Sequence, residues 1–153
     1  MDVDKLNINS LKSEFSKYRK DLLHLNEYMY KNPELGYQEV NSVDKITKLI
    51  KKHVLDTKYK KFSNIPTAFT ASINKRVGKK NIAICIEYDA LPNVGHACGH
   101  NLISSIGLGA FFILSNYKDE LDYEIKLVGC PAEEIIPLTY KNGGGGGKIK
   151  LLE

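Results

Sequence analysis

The sequence is poor in cysteine and has no long unbroken apolar run, and both shortages limit what the chain can be. Its three cysteines are an odd number without short regular spacing, which does not suit a disulfide framework. We therefore expect a reduced, cytoplasmic setting. The longest strongly apolar run, residues 102–114, is broken by serine and glycine and is too short to cross a bilayer. No N-terminal apolar stretch with basic flanks is present, so no membrane span or membrane partner is expected.

The excess of positive charge does not indicate a nucleic-acid-binding protein. The formal net charge is +4, and the extra lysines cluster in residues 45–61. Lys45, Lys48 and Lys52 have helical spacing opposite the apolar positions of the same segment, which is typical of a solvated helix face. Nucleic acid is therefore not an expected partner.

A run of five glycines at residues 143–147 precedes Lys148 but does not form a phosphate loop. That motif needs glycine five residues before its Gly-Lys pair and serine or threonine after it. Asn142 and Ile149 occupy those positions, so nucleotide binding is not predicted. We expect a flexible loop near a site, or a plain linker.

Apolar periodicity predicts a single layered α/β domain. It predicts, in chain order, a helix from Ser10 to Asn32, a helix from about Gln38 to Val54, strands at 59–63, 67–74 and 82–86, a buried helix at 101–115 and a strand at 123–129. The continuous apolar run at 82–86 is typical of a strand covered on both faces. This order predicts a mixed sheet flanked by helices, with the site in the loops at the carboxyl ends of the strands.

The segment HACGH at residues 96–100 places one thiol and two imidazoles in five residues between a strand and a helix. Thiolate and imidazole are ligands that zinc and similar divalent metals prefer, so Cys98 and His100 could face one ion. The alternative is that Cys98 is a small buried apolar residue and the histidines are hydrogen-bonded loop residues. For Cys85 and Cys130, which fall within strands, core packing is the prediction.

The segment PAEE at residues 131–134 follows directly on a predicted strand and carries two adjacent carboxylates. Such groups repel each other when buried. A dinuclear cation would relieve that repulsion, with one carboxylate as a ligand and the other free to move a proton. A solvated acidic turn is the alternative for this pair taken alone.

Four segments together resemble the aminoacylase and carboxypeptidase-G-like metallopeptidases, in their amidohydrolase branch. They are NPELGYQE at 32–39, EYDALP at 87–92, HACGH at 96–100 and PAEE at 131–134, in the order found in that family. The branch includes the Xaa-Arg dipeptidase and aminobenzoyl-glutamate hydrolase groups. The resemblance extends from about residue 18 to the end of the chain.

The resemblance implies a zinc-exopeptidase-like catalytic domain and a role for five residues. Cys98, His100 and Glu134 would bind metal, Glu133 would be the general base, and Asp89 would orient a ligand. His96 precedes the ligand pair and would be structural. The cofactor implied is a divalent metal, zinc first and manganese or cobalt as alternatives, with two ions in a full-length form. The substrate implied is a dipeptide or an N-acyl amino acid.

The sequence also departs from the family pattern. No histidine follows His100, whereas the family uses two further histidines and a separate lid and dimerisation domain. We therefore expect residues 1–153 to be the N-terminal portion of a catalytic domain, inactive alone, with homodimerisation open only to a full-length form. Residues 135–142 separate the paired glutamates from the glycine run, whereas the family runs almost directly from one to the other. Either an insertion or an imperfect gene model would account for this segment.

Two other functions remain open at this point. The chain could be a catalytically dead remnant that acts as a binding or interaction module. It could also be a small structural zinc protein that uses Cys98, His100 and one further cysteine, which would unfold when the metal is removed.

Overall fold

The protein is a layered α/β domain, as the apolar pattern predicts. The computed structural model describes residues 8–73, 80–134 and 146–151. Its elements in chain order are α1 (Ile8–Lys31), α2 (Val40–His53), β1 (Lys58–Lys61), β2 (Phe69–Ile73), β3 (Asn81–Glu87), α3 (His100–Asn116), β4 (Glu124–Cys130) and the single turn α4 (Gly147–Lys150). None of the helices in these ranges is long and apolar enough to cross a membrane.

The four strands form one mixed sheet in the order β1-β2-β4-β3. β1 pairs with β2 and β2 with β4 in antiparallel fashion, whereas β3 and β4 are parallel and joined through α3. A parallel pair needs such a crossover because its strands run in the same direction. The mixed sheet flanked by helices, predicted from the sequence, is confirmed.

The helices bury their apolar stripes against each other and against the sheet. α3 packs on β3 and β4, and α1 and α2 pack on α3. Gly107 of α3 lies so close to β3 that a side chain there would overlap Ile86. The largest fully buried side chains include Phe69, Phe111 and Phe112, so the core lies between the sheet and the three long helices.

The prediction that the apolar strand at 82–86 is covered on both faces is wrong for this chain. β3 is an edge strand, and Ile82 is 43% exposed. Cys85, predicted to pack in the core, is exposed for the same reason, whereas Cys130 is buried as predicted. Composition shows that a strand is apolar, but its neighbours decide which of its faces are covered.

His53 of α2 is part of the packing between the helices. The His53 ring lies 5.1 Å from the Tyr18 ring and 5.0 Å from the Phe112 ring, and its Nε2 lies 2.7 Å from Asp21 Oδ2. His24 of α1 is exposed. The candidate insertion at 135–142, the first part of the glycine run and Asn74 lie outside the described residues.

Candidate metal centre

The candidate site lies where the two parallel strands end. β3 and β4 are in register up to Glu87 opposite Cys130, so the segments that follow them leave the sheet side by side. The first segment carries Asp89 and leads to the start of α3, and the second is the turn at residues 131–134. Loops at the carboxyl ends of parallel strands are where α/β folds place their ligands.

His100 is the first residue of α3 and is only 3% exposed. Gly99 before it has a φ of 79°, a left-handed conformation that glycine adopts without strain and that turns the chain into the helix. The Nδ1–H of His100 faces the backbone oxygen of Asp89 at 2.9 Å and its Oδ1 at 3.0 Å. The ring is therefore fixed, and its other nitrogen points into the space between the two loops.

The free nitrogen of His100 faces three carboxylates. Nε2 lies 3.4 Å from Glu87 Oε2, 3.6 Å from Glu134 Oε1 and 3.8 Å from Glu133 Oε2. Ligand atoms of Glu87, His100 and Glu133 all lie within 4.8 Å of one another. Such a group of one imidazole and several carboxylates has the donor chemistry of a divalent metal site.

Asp89 connects the two loops of the site. It is 1% exposed, and while its Oδ1 accepts from His100, its Oδ2 accepts from the backbone N–H of Glu134 at 3.0 Å. Burial tends to raise the pKa of Asp89, but these hydrogen bonds outweigh it and lower the pKa. Burial likewise tends to lower the pKa of His100, but the hydrogen bond and charge of Asp89 raise it to about 8.

A hydrogen bond to Glu39 also holds the turn that carries the paired glutamates. Ala132 has a φ of 53° and is fully buried, a left-handed conformation that is uncommon for a residue with a Cβ. Its N–H donates to Oε1 of Glu39 at 2.8 Å. The side chains of Glu133 and Glu134 extend from this turn to His100, and 36% and 24% of their side-chain surface is exposed.

The predicted ligand Cys98 lies at the exposed rim of the site. Its thiol lies beside the carboxylate of Glu134, whose hydrogen bond is the main cause that raises the pKa of Cys98. The structure thus brings together all five residues predicted from the sequence, namely Asp89, Cys98, His100, Glu133 and Glu134. Their roles as ligands, base and orienting group stay predictions.

His96 is the other histidine of the HACGH segment, and the charges of His100 and Asp89 act on its pKa. It is 8% exposed, and within the described ranges neither of its ring nitrogens has a hydrogen-bond partner. Burial is the main cause that lowers its pKa. The interpretation of His96 as a structural residue stays a prediction.

Sequence reasoning missed two charged residues of the site. Glu87 ends β3 and lies beside His100, and Lys148 forms ion pairs with Glu87 and, at 3.4 Å, with Glu133. A signal for Glu87 was present, because it is the first residue of the EYDALP segment that already carried Asp89. Lys148 gave no such signal, since the glycine run before it indicated only a loop or linker.

The residues of the site fit a divalent metal. Carboxylates that converge within contact distance of one another repel unless a cation lies among them. The ammonium group of Lys148 supplies one positive charge here. A metal ion bound to His100 and its neighbouring carboxylates would supply two, together with directed coordination.

Comparison with known proteins places the chain in a family. It is 27% identical to thermostable carboxypeptidase 2 of Saccharolobus solfataricus over 95% of this chain and 38% of that protein. It is 31% identical to the Xaa-Arg dipeptidase of Mus musculus over 84% of this chain and 30% of that protein. The chain thus spans about a third of the length of these curated relatives. No family model matches it.

The solved structures agree with the sequence relatives. A Bacillus subtilis protein described as a dinuclear metal-binding peptidase superposes with a TM-score of 0.68 at 26% identity, over 81% of this chain and 37% of that one. The fold is that of the catalytic domains of metallopeptidases. The chain belongs to peptidase family M20.

Proposed function

We propose that this chain carries part of the metal centre of an enzyme that hydrolyses an amide bond in a dipeptide or an N-acyl amino acid. The observation that carries the proposal is the orientation of His100. Its Nδ1–H is held by Asp89 while its Nε2 faces three carboxylates. A metal-binding histidine usually donates the N–H of its other ring nitrogen to a carboxylate or a backbone carbonyl, and His100 has this arrangement.

We assign the roles as follows. Cys98, His100 and Glu134 bind the metal, and Glu87 adds a further carboxylate beside His100. Asp89 holds the imidazole in the orientation that presents Nε2. Zinc is the first choice because thiolate and imidazole suit it, and manganese or cobalt also fit this donor set.

A divalent metal at this position would polarise the amide carbonyl and make water a better nucleophile. Glu133 is the residue that moves the proton. Its carboxylate lies 3.8 Å from Nε2 of His100 and is partly exposed, so it can accept a proton from the attacking water and return it to the leaving amine.

The names of the relatives support a small substrate, since one is a dipeptidase and another a carboxypeptidase. We further propose a cytoplasmic setting, because the three cysteines are free thiols. A second metal ion and a homodimer belong to a full-length form. No nucleic acid or membrane enters this function.

Metal titration tests the proposal directly. Zn²⁺ or Mn²⁺ binding to this chain, measured by calorimetry, is expected to be weak but specific and to be lost in His100→Ala. His24→Ala is the matched control, because His24 is exposed on α1. Equal binding by the two variants, or none by the unmodified chain, would reject the metal centre.

Hydrolysis of dipeptides and N-acetyl amino acids is the second measurement. No histidine follows His100 in the sequence, so the donors present are few for two ions, and little hydrolysis is expected from this chain alone. A longer form that carries further histidine ligands should hydrolyse such substrates when zinc or manganese is added. Its failure with both metals would contradict the proposed activity.

One observation favours a second candidate function, a binding module without catalysis. Lys148 already pairs with Glu87 and Glu133, and an internal cation could hold the carboxylates together without any metal. Metal-free protein that shows no gain in thermal stability on adding zinc would favour this module. Stoichiometric zinc retained after purification would exclude it.

A further inference from the structure

The loop between α1 and α2 contacts both loops of the candidate site. This loop, residues 32–39, contains the NPELGYQE segment, for which the proposed chemistry has no use. The backbone oxygen of Glu34 accepts from the N–H of Ala90 at 2.8 Å, beside Asp89. The side chain of Glu39 accepts from the N–H of Ala132, beside Glu133. The loop is thus hydrogen-bonded to both segments that carry the acidic groups of the site.

Glu39 is an unusual residue for its position. It is 0% exposed although it stands at the start of a surface helix. Its Oε1 receives the Ala132 N–H, whereas Oε2 and the neighbouring Thr67 hydroxyl have no hydrogen-bond partner of good geometry within the described residues. A buried carboxylate destabilises the fold unless hydrogen bonds or a charged partner compensate for its lost hydration. The hydrogen bond from the Ala132 N–H links Glu39 to the turn that carries the paired glutamates.

The hydrogen bond between Glu39 and Ala132 stabilises an uncommon backbone conformation. Ala132 has a left-handed φ of 53° and no exposed surface, and an alanine does not adopt this conformation without help from its surroundings. The N–H of Glu134 is bound by Asp89, which also has a backbone contact with Glu133. Glu133 therefore lies between two backbone groups that are each fixed by a buried carboxylate.

We propose that Glu39 is a positioning residue, whose buried carboxylate fixes Ala132 in its left-handed conformation and thereby aims Glu133 and Glu134 at His100. The part assigned to Glu39 in aiming metal ligands rests on the metal centre proposed above. The hydrogen bond itself does not depend on a metal.

Two substitutions separate the hydrogen bond from other effects of Glu39. Glu39→Gln keeps an oxygen that can accept the Ala132 N–H, and it suits a site in which burial raises the pKa of the carboxyl group. Glu39→Met has nearly the same length but no strong acceptor. In metal-free protein, we expect the Ala132 amide to exchange with solvent about tenfold faster in Glu39→Met, and at the unmodified rate in Glu39→Gln.

The affinity for Co²⁺ and the visible spectrum of the bound ion report on the orientation of the Glu133 and Glu134 side chains. In Glu39→Met the dissociation constant for Co²⁺ is expected to rise about tenfold, with an altered visible spectrum, while Glu39→Gln restores both. Phe112→Leu is the control, because it disturbs the core at the far end of α3 from His100 and should leave the cobalt spectrum unchanged. If Glu39→Met does not fold, Glu39→Asp replaces it, since a side chain shorter by one methylene cannot reach Ala132.

Two results would overturn the proposal. One is a folded Glu39→Met or Glu39→Asp protein with unmodified Ala132 exchange and an unmodified cobalt spectrum. The other is Glu39→Gln behaving like Glu39→Met, because the effect would then come from charge. If the unmodified chain binds no Co²⁺, the proposed metal centre is rejected. Two measurements on metal-free protein then decide the role of Glu39: the exchange rate of the Ala132 amide and the carboxyl ¹³C chemical shifts of Glu133 and Glu134. Unchanged values in Glu39→Met reject that role, and altered values support it.

Discussion

Replacing Asp89 by asparagine should weaken metal binding by a factor that follows from its two hydrogen bonds. Oδ1 accepts from His100 Nδ1 and Oδ2 from the Glu134 N–H, both at 3.0 Å, and the side chain is 1% exposed. Both partners are donors, but an asparagine offers one acceptor and one donor. In either orientation of the amide, a buried NH₂ group faces another donor.

The size of the effect can be worked out in two ways. A buried donor left without a partner costs about 1–3 kcal/mol. Loss of the group that orients a metal-binding histidine typically weakens affinity about 10–100-fold, which corresponds to about 1.4–2.7 kcal/mol. The two ranges overlap, so we expect Asp89→Asn to raise the dissociation constant for Zn²⁺ by about one to two orders of magnitude.

The assay is calorimetric titration with Zn²⁺, with thermal unfolding of each metal-free variant measured alongside. Asp44→Asn is the matched control, because the Asp44 carboxylate forms an exposed ion pair with Lys48 on α2 and its loss should change neither quantity by much. If Asp89→Asn binds zinc as tightly as the unmodified chain while His100→Ala does not bind, Asp89 does not orient His100 and the reasoning is refuted.

Three further predictions concern stability and the charge of the site. Glu34 accepts four hydrogen bonds at the start of α2, and these outweigh burial and lower its pKa. Glu34→Gln should thus cost about 1–2 kcal/mol at neutral pH. This stabilisation is complete above the unfolded pKa and lost as the pH falls through the lower folded one, so urea titrations of the two proteins should converge in acid; a constant gap would contradict it. Gly129→Ala should cost about 1–3 kcal/mol, because a methyl group there overlaps the ring of Phe69; Phe69→Leu in the same chain should recover part of the loss in thermal unfolding, and no recovery would point to another cause. Lys148→Met removes the ammonium that competes for Glu87 and should tighten Zn²⁺ binding several-fold in calorimetry; weaker binding would mean that Lys148 supports the site.

The helices and strands could be predicted closely because their signals are local. Apolar residues at helical spacing from Leu11 to Tyr28 predict α1, and the Asn32-Pro33 pair predicts its end. The apolar run at 82–86 predicts β3. The segments that form the site could also be recognised in the sequence, because Cys98 and His100 lie two positions apart and the paired glutamates are adjacent. The prediction failed for the environment of β3, because coverage of a strand's faces depends on the layers that pack against the sheet.

The sequence by itself determined the three long helices, the four strands, the mixed α/β class and five of the residues that meet at the ends of β3 and β4, but not the turn α4. The tertiary structure alone decided how they meet. Glu39 reaches Ala132 across 93 positions of the chain, and Asp89 reaches the N–H of Glu134 across 45. Glu87 and Lys148 join the site through such long-range contacts as well. Periodicity and motif spacing describe neighbours along the chain, whereas a hydrogen bond between distant loops exists only once the sheet has placed their ends side by side.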